Sequence, residues 1–250
     1  MKNTKIFLVL AAIAAVMTLG AESQLKFNPP KISDAPKELQ PLVQRGYNII
    51  HETHKYAPDH VGNELDCTNC HFDAGMMKDT LSLVGVAAVF PKYHPVVKKV
   101  VDLPKLTNMC FVRYLNADPL PEDSNDMIAI LTYYQWISKG IPVYADVPWL
   151  KFEPVKSEHK PNSQNGSKVF AQCTPCHGNN GQGLPGDGPA LWGNGAFPEG
   201  PGMGTEDILA AFIHRFMPEG YANLSMDQAI DVAAYILSFP RPQMKRQIPN

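Results

Sequence analysis

Residues 173–177 read C-T-P-C-H, and residues 67–71 read C-T-N-C-H. Two thiols at this spacing with an adjoining histidine are the attachment signature of c-type haem: the sulfurs add across the vinyl groups and the imidazole reaches the iron. Two occurrences predict two covalently bound haems, the first on Cys67, Cys70 and His71, the second on Cys173, Cys176 and His177. A zinc ribbon would bring its cysteine pairs within about 20 residues of each other. Here most of a domain separates them, which argues against zinc.

The surrounding chain reads as a divergent repeat. Residues 37–56 carry apolar side chains at near-helical spacing, with Pro41 tolerable only in a first turn and Gly46 offering a close crossing point. After the first motif, residues 81–93 are apolar and bounded by proline, without a clear secondary structure. Residues 106–116 place Cys110 among apolar neighbours, with Arg113 three positions later and so on the same face of a helix. Ser124 caps a helix over 125–139, closed by Gly140. The second half repeats this order: a helix starting near Asn165, the C-T-P-C-H motif, a glycine-rich loop over 178–188, a helix over 206–216, and a Ser225-capped helix over 226–239. Tyr133 and Tyr235 occupy matching places in the two capped helices. The fold expected is all-α: two cytochrome c-like domains over 37–140 and 163–242, joined by the proline-rich linker 141–162, each wrapped around its haem.

The repeat also suggests where each sixth iron ligand lies. For the second haem the candidates are Met217, Met203 and His214, and Met217 has the order usual in small cytochromes, just ahead of a proline and the last helix. A thioether there favours ferrous iron and raises the potential. In the first half Cys110 stands at the corresponding place and is the one cysteine of five left over from the two attachment pairs. As a thiolate ligand it would stabilise ferric iron; as a buried, inert thiol it would do nothing. Pro189 is expected to accept the His177 ring N–H. His51, His54 and His60 lack diagnostic spacing and read as surface residues.

Composition narrows the partners. A formal charge of −2 without a long basic run gives no reason to expect nucleic acid. Lys2 and Lys5 precede an apolar run over 6–17, with small residues Gly20 and Ala21 beyond, so residues 1–21 read as a cleaved export signal and the protein as periplasmic. No membrane span is expected in the mature chain.

The stretches G-N-E-L-D-C-T-N-C-H, C-F-V-R-Y-L-N, W-I-S-K-G-I-P, F-M-P-E-G and D-V-A-A-Y-I-L-S-F-P-R-P together resemble the dihaem thiosulfate dehydrogenase family, over nearly the whole mature chain. That resemblance implies a periplasmic oxidoreductase that couples two thiosulfates into tetrathionate, or runs in reverse. It implies His71 and Cys110 as iron ligands at the substrate haem, and His177 and Met217 at a second haem that passes electrons to an external acceptor or donor cytochrome. A small sulfur oxyanion would meet Cys110 beside Arg113, with Lys98, Lys99 or His94 adding positive charge. Cys110 is also a potential nucleophile toward a sulfur species. The family pattern has arginine four residues before the ligand cysteine and serine four after it, where this chain has Leu106 and Tyr114. The alternative reading is an electron carrier without substrate chemistry of its own.

Overall fold

The computed structural model describes residues 25–246 apart from Asp79 and Val96. The export-signal expectation for residues 1–21 lies outside the described residues.

Helix α1 (Gln40–His51) has Pro41 in its first turn, where the missing N–H costs no hydrogen bond, and buries Val43, Gly46, Ile49 and Ile50. The helical pattern expected to run to residue 56 breaks at Glu52 (φ −133, ψ 69) and resumes for one turn over Thr53–Tyr56. The break turns fully buried Thr53 inward. The wrap left unassigned by sequence resolves into a short helix, Val86–Val89, and an antiparallel ribbon of β1 (Lys92–His94) and β2 (Lys99–Val101), in which Tyr93 faces Val100. This ribbon is the one sheet among the described residues, which otherwise form only a lone bridge between Leu184 and Gly188.

Helix α2 (Leu103–Arg113) carries Cys110 and is capped by Asp102, whose carboxylate accepts the Lys105 N–H at 3.0 Å. Helix α3 (Asn125–Ile137) begins at Ser124, whose hydroxyl accepts the Met127 N–H. The second half contributes α4 (Ser163–Val169), α5 (Glu206–Phe216) and α6 (Met226–Leu237). Ser225 and Gln228 form a reciprocal capping box on α6. Such caps satisfy N–H groups that the helix itself leaves free and are each worth about 1 kcal/mol.

The two halves use one packing device. Helix α1 crosses α3 at Gly46, where an added Cβ would stand 2.2 Å from the Ala129 carbonyl oxygen and 2.6 Å from Tyr133 Cβ. Helix α4 crosses α6 at Gly166, where it would stand 2.0 Å from the Asp231 carbonyl oxygen and 2.9 Å from Tyr235 Cβ. A glycine therefore meets the tyrosine-bearing helix in both halves.

The halves share one apolar core. Phe72 and Phe212 meet edge to face at 6.2 Å, and the Asn63 amide donates to both the Tyr114 and Ala196 carbonyls. The connecting segment is packed, with Trp149 donating to the Val84 carbonyl and the Val155 N–H to the Asp207 carbonyl. Among the described residues no helix is long and apolar enough to cross a membrane.

Candidate functional site

The first motif sits on a single 3-10 turn, Cys67–Asn69, closed by Asp66 and Asn69 in a capping box. The Cys67 N–H donates to Thr53 Oγ1 at 3.1 Å, and the Thr53 hydroxyl lies 3.3 Å from the Cys67 sulfur. The break in the helical run thus serves the motif. His71 Nδ1 is 2.6 Å from the Leu81 carbonyl oxygen, and His177 Nδ1 is 2.8 Å from that of Pro189. A carbonyl only accepts, so Nδ1 carries the hydrogen in both rings and each Nε2 keeps its lone pair for a metal. Burial holds both imidazoles below their ordinary pKa, in the neutral form that binds iron.

Desolvation also pushes the Cys67 and Cys70 thiols up to about 12. A cavity of about 790 Å³ is lined by Cys173, Cys176, His177, Met203 and Met217, with Leu209, Phe212, Ile213, Val232 and Ile236 as apolar walls. Two thiols, an imidazole with a bare Nε2 and an apolar chamber of this size fit a haem. Cys70, Phe72 and Tyr114 line the same cavity, so the two motifs share a wall. His214 is not among its lining residues, and its Nδ1 lies 2.9 Å from the Leu224 carbonyl oxygen.

Cys110 and Arg113 lie one turn apart on α2. Burial pushes the Cys110 thiol up to about 11, against the pull of the Arg113 cation. Tyr134 and Cys67 also approach this point from the core, and Thr107 Oγ1 lies near the Tyr134 hydroxyl without a partner of good geometry. On the ribbon, burial and the nearby Arg113 and Lys92 cations hold the His94 pKa below the usual value. His94 Nδ1 and Arg113 Nε are both buried and unpartnered. Lys98 and Lys99 are exposed at the turn of the ribbon, Lys99 opposite His94 in register. The structure thus puts Arg113 in electrostatic range of both Cys110 and His94 and leaves the two lysines exposed on the ribbon.

The remaining histidines have protein partners. His54 is held by Asp66 at 2.9 Å and the Asn63 carbonyl at 2.8 Å, His60 by the Asp118 carbonyl, and His51 stacks on Tyr47. Thr53, Leu81 and Thr107 carry no motif and were not legible as site residues. Leu81 was within reach by analogy, because it follows His71 by 10 residues and Pro189 follows His177 by 12.

Comparison with known proteins gives a consistent picture. The SoxA/TsdA cytochrome c domain matches residues 56–143, and the cytochrome c family matches residues 163–240. The chain is 34% identical over 256 aligned positions to the thiosulfate dehydrogenase of Stutzerimonas stutzeri, covering 95% of this chain and 83% of that one. It is 35% identical over 211 positions to the thiosulfate dehydrogenase of Allochromatium vinosum, covering 80% and 78%. Its backbone matches the solved thiosulfate dehydrogenase (TsdBA) of Marichromatium purpuratum with a TM-score of 0.82 at 27% identity, over 89% of this chain. The chain spans about half the length of that protein, 51%.

Proposed function

We propose a function from the premise that this chain belongs to the thiosulfate dehydrogenase family of dihaem cytochromes c. It acts as a periplasmic oxidoreductase that joins two thiosulfates into tetrathionate, or splits tetrathionate in reverse. Each thiosulfate gives up one electron, the terminal sulfurs form one S–S bond, and two electrons leave the site. The haems, when bound, supply the one-electron acceptors and the route outward. His71 and Cys110 would ligate the first iron, and His177 and Met217 the second.

The observation that carries this reading is the pair of buried, unpartnered nitrogens, Arg113 Nε and His94 Nδ1, the imidazole lying in the field of the Arg113 cation and Cys110 one turn before Arg113 on α2. Buried polar atoms in a native fold have partners, so two orphans on neighbouring charged and polar side chains call for a ligand. A guanidinium is always charged and matches an oxyanion through paired N–H groups. A neutral imidazole adds a donor without requiring a proton from solvent. Lys98 and Lys99, exposed on the ribbon that carries His94, add positive charge that draws a dianion. The bound oxygens would leave the terminal sulfur toward Cys110. The wall shared by Cys70, Phe72 and Tyr114 with the second cavity then supports electron passage from the first haem to the second and on to an external cytochrome.

Turnover of thiosulfate and of tetrathionate by the holoprotein and by Cys110→Gly tests the reading. The wild type is expected to turn over at least one of the two, and the variant to lose that activity while keeping both haems. A wild type inert toward both would defeat it.

A further inference from the structure

Gly202 belongs to the second half of the chain, yet it lies against the helix that carries Cys110. A Cβ built on it would stand 2.7 Å from the Tyr114 hydroxyl oxygen and 3.0 Å from Arg113 Cδ. Its φ of +89° is in the left-handed region that favours glycine. The loop around it cannot retreat freely. Met203 is buried in the wall of the second haem's cavity, and the Thr205 N–H donates to the Gly202 carbonyl at 2.9 Å.

On the facing side, Arg113 is the last residue of α2, and its buried Nε has no protein hydrogen bond. Hydrogen bonding at Nε therefore does not aim this side chain; its guanidinium is instead paired with the Tyr114 hydroxyl, and packing of that pair must contribute. The contact that supplies it comes from Gly202, because an arginine stem held at Cδ has lost much of its freedom to swing.

We propose that Gly202 is a positioning residue for the substrate site: its bare Cα lets Arg113 and Tyr114 seat against the second half of the chain, and that contact aims the guanidinium at a dianion beside Cys110. The proposal rests on the thiosulfate reading and extends it, since it makes affinity at the first haem depend on a residue of the other domain. A displacement of the guanidinium by a fraction of an ångström acts on binding before it acts on chemistry, because the iron ligands are untouched.

The test uses the holoprotein. Thiosulfate is titrated while the absorption of the first haem is followed, giving Kd, and steady-state KM and kcat are measured alongside. Gly202→Ala is expected to weaken Kd and raise KM about tenfold with kcat changed less than about twofold, and to leave both haem spectra in place. Gly193→Ala is the strain control: it also has a positive φ, +75°, but nothing lies within 4 Å of its added Cβ. Its Kd is expected to match the wild type. In an Arg113→Ala background Gly202→Ala is expected to have little further effect, because the residue it positions is gone. Should Gly202→Ala fail to fold, it is introduced into Tyr114→Phe, which removes the atom its methyl would meet at 2.7 Å, and Kd is expected to weaken about threefold relative to Tyr114→Phe alone. Unchanged Kd in the folded variants, an equal loss in Gly193→Ala, or full additivity with Arg113→Ala overturns the proposal. A wild type that neither binds nor turns over thiosulfate overturns the function on which it rests.

Discussion

Gly46 and Ala129 meet so closely that a methyl group on the glycine would sit 2.2 Å from the alanine carbonyl oxygen. That contact is backbone against backbone, so no side chain can rotate away to relieve it. Helix α1 must shift bodily or the crossing must open.

Gly46→Ala is accordingly expected to destabilise the holoprotein by about 3 kcal/mol or more, lowering the melting temperature by roughly 6 °C or more in a chain of this size. Gly166→Ala, facing the Asp231 carbonyl at 2.0 Å, is expected to do the same. Gly140→Ala, with φ +86° and open space around it, serves as the comparison and costs only about 1–2 kcal/mol of left-handed strain. Calorimetry on the three variants checks the order; a Gly46 variant no less stable than the Gly140 variant would contradict it.

At the second haem, Met217 and Met203 both line the cavity, and Met217 is the cap of α5 with its N–H donated to the Ile213 carbonyl. Met217→Leu is expected to abolish the long-wavelength methionine-to-iron absorption band and to lower that haem's potential, because a thioether ligand favours ferrous iron. Met203→Leu is expected to keep the band. The near-infrared spectrum and a redox titration of each variant decide, and the reverse assignment would follow if Met203→Leu alone lost the band.

His159 Nε2 lies 2.8 Å from Asp231 Oδ1, which also accepts the Asn162 N–H, so this pair ties the linker to α6. The hydrogen bond to Asp231, reinforced by the charges of Asp227 and Glu206 and opposed by slight desolvation, raises the histidine above its ordinary pKa. A raised folded-state pKa stabilises most below the unfolded value, about 6.5, and the contribution fades as pH rises through the folded value. The melting-temperature deficit of His159→Gln should therefore be larger near about pH 5.5 than near about pH 8.5. A deficit that grows with pH would show that the charge is not what holds the linker.

How much of this was legible before the structure differs by kind of residue. The attachment motifs, the capped helices and the crossing at Gly46 follow from local chemistry: thiol spacing, a serine ahead of an apolar stripe, a glycine within one. The Pro189 acceptor was legible because it ends the glycine-rich loop in a G-P-A-L pattern, where cytochromes c commonly place a proline carbonyl against the proximal imidazole. The ribbon of β1 and β2 was not, since Lys92–His94 and Lys99–Val101 are too short to show alternation and depend on each other for pairing. Nor was the meeting of His94 with Arg113, or of Gly202 with both Arg113 and Tyr114, because those contacts join segments that no periodicity relates. Lys98 and Lys99 looked equal to His94 in sequence, and only the ribbon separates the two exposed lysines from the partly buried imidazole.

The central claim is that the two haems are unequal because Cys110 ligates the first. Electron paramagnetic resonance of the oxidised holoprotein and of Cys110→Gly tests it most directly. The account predicts two low-spin ferric signals in the wild type, one with the narrow spread of g values that an axial thiolate imposes, and the loss of that signal alone in the variant. Two signals without thiolate character, or a spectrum that Cys110→Gly leaves unchanged, would contradict it.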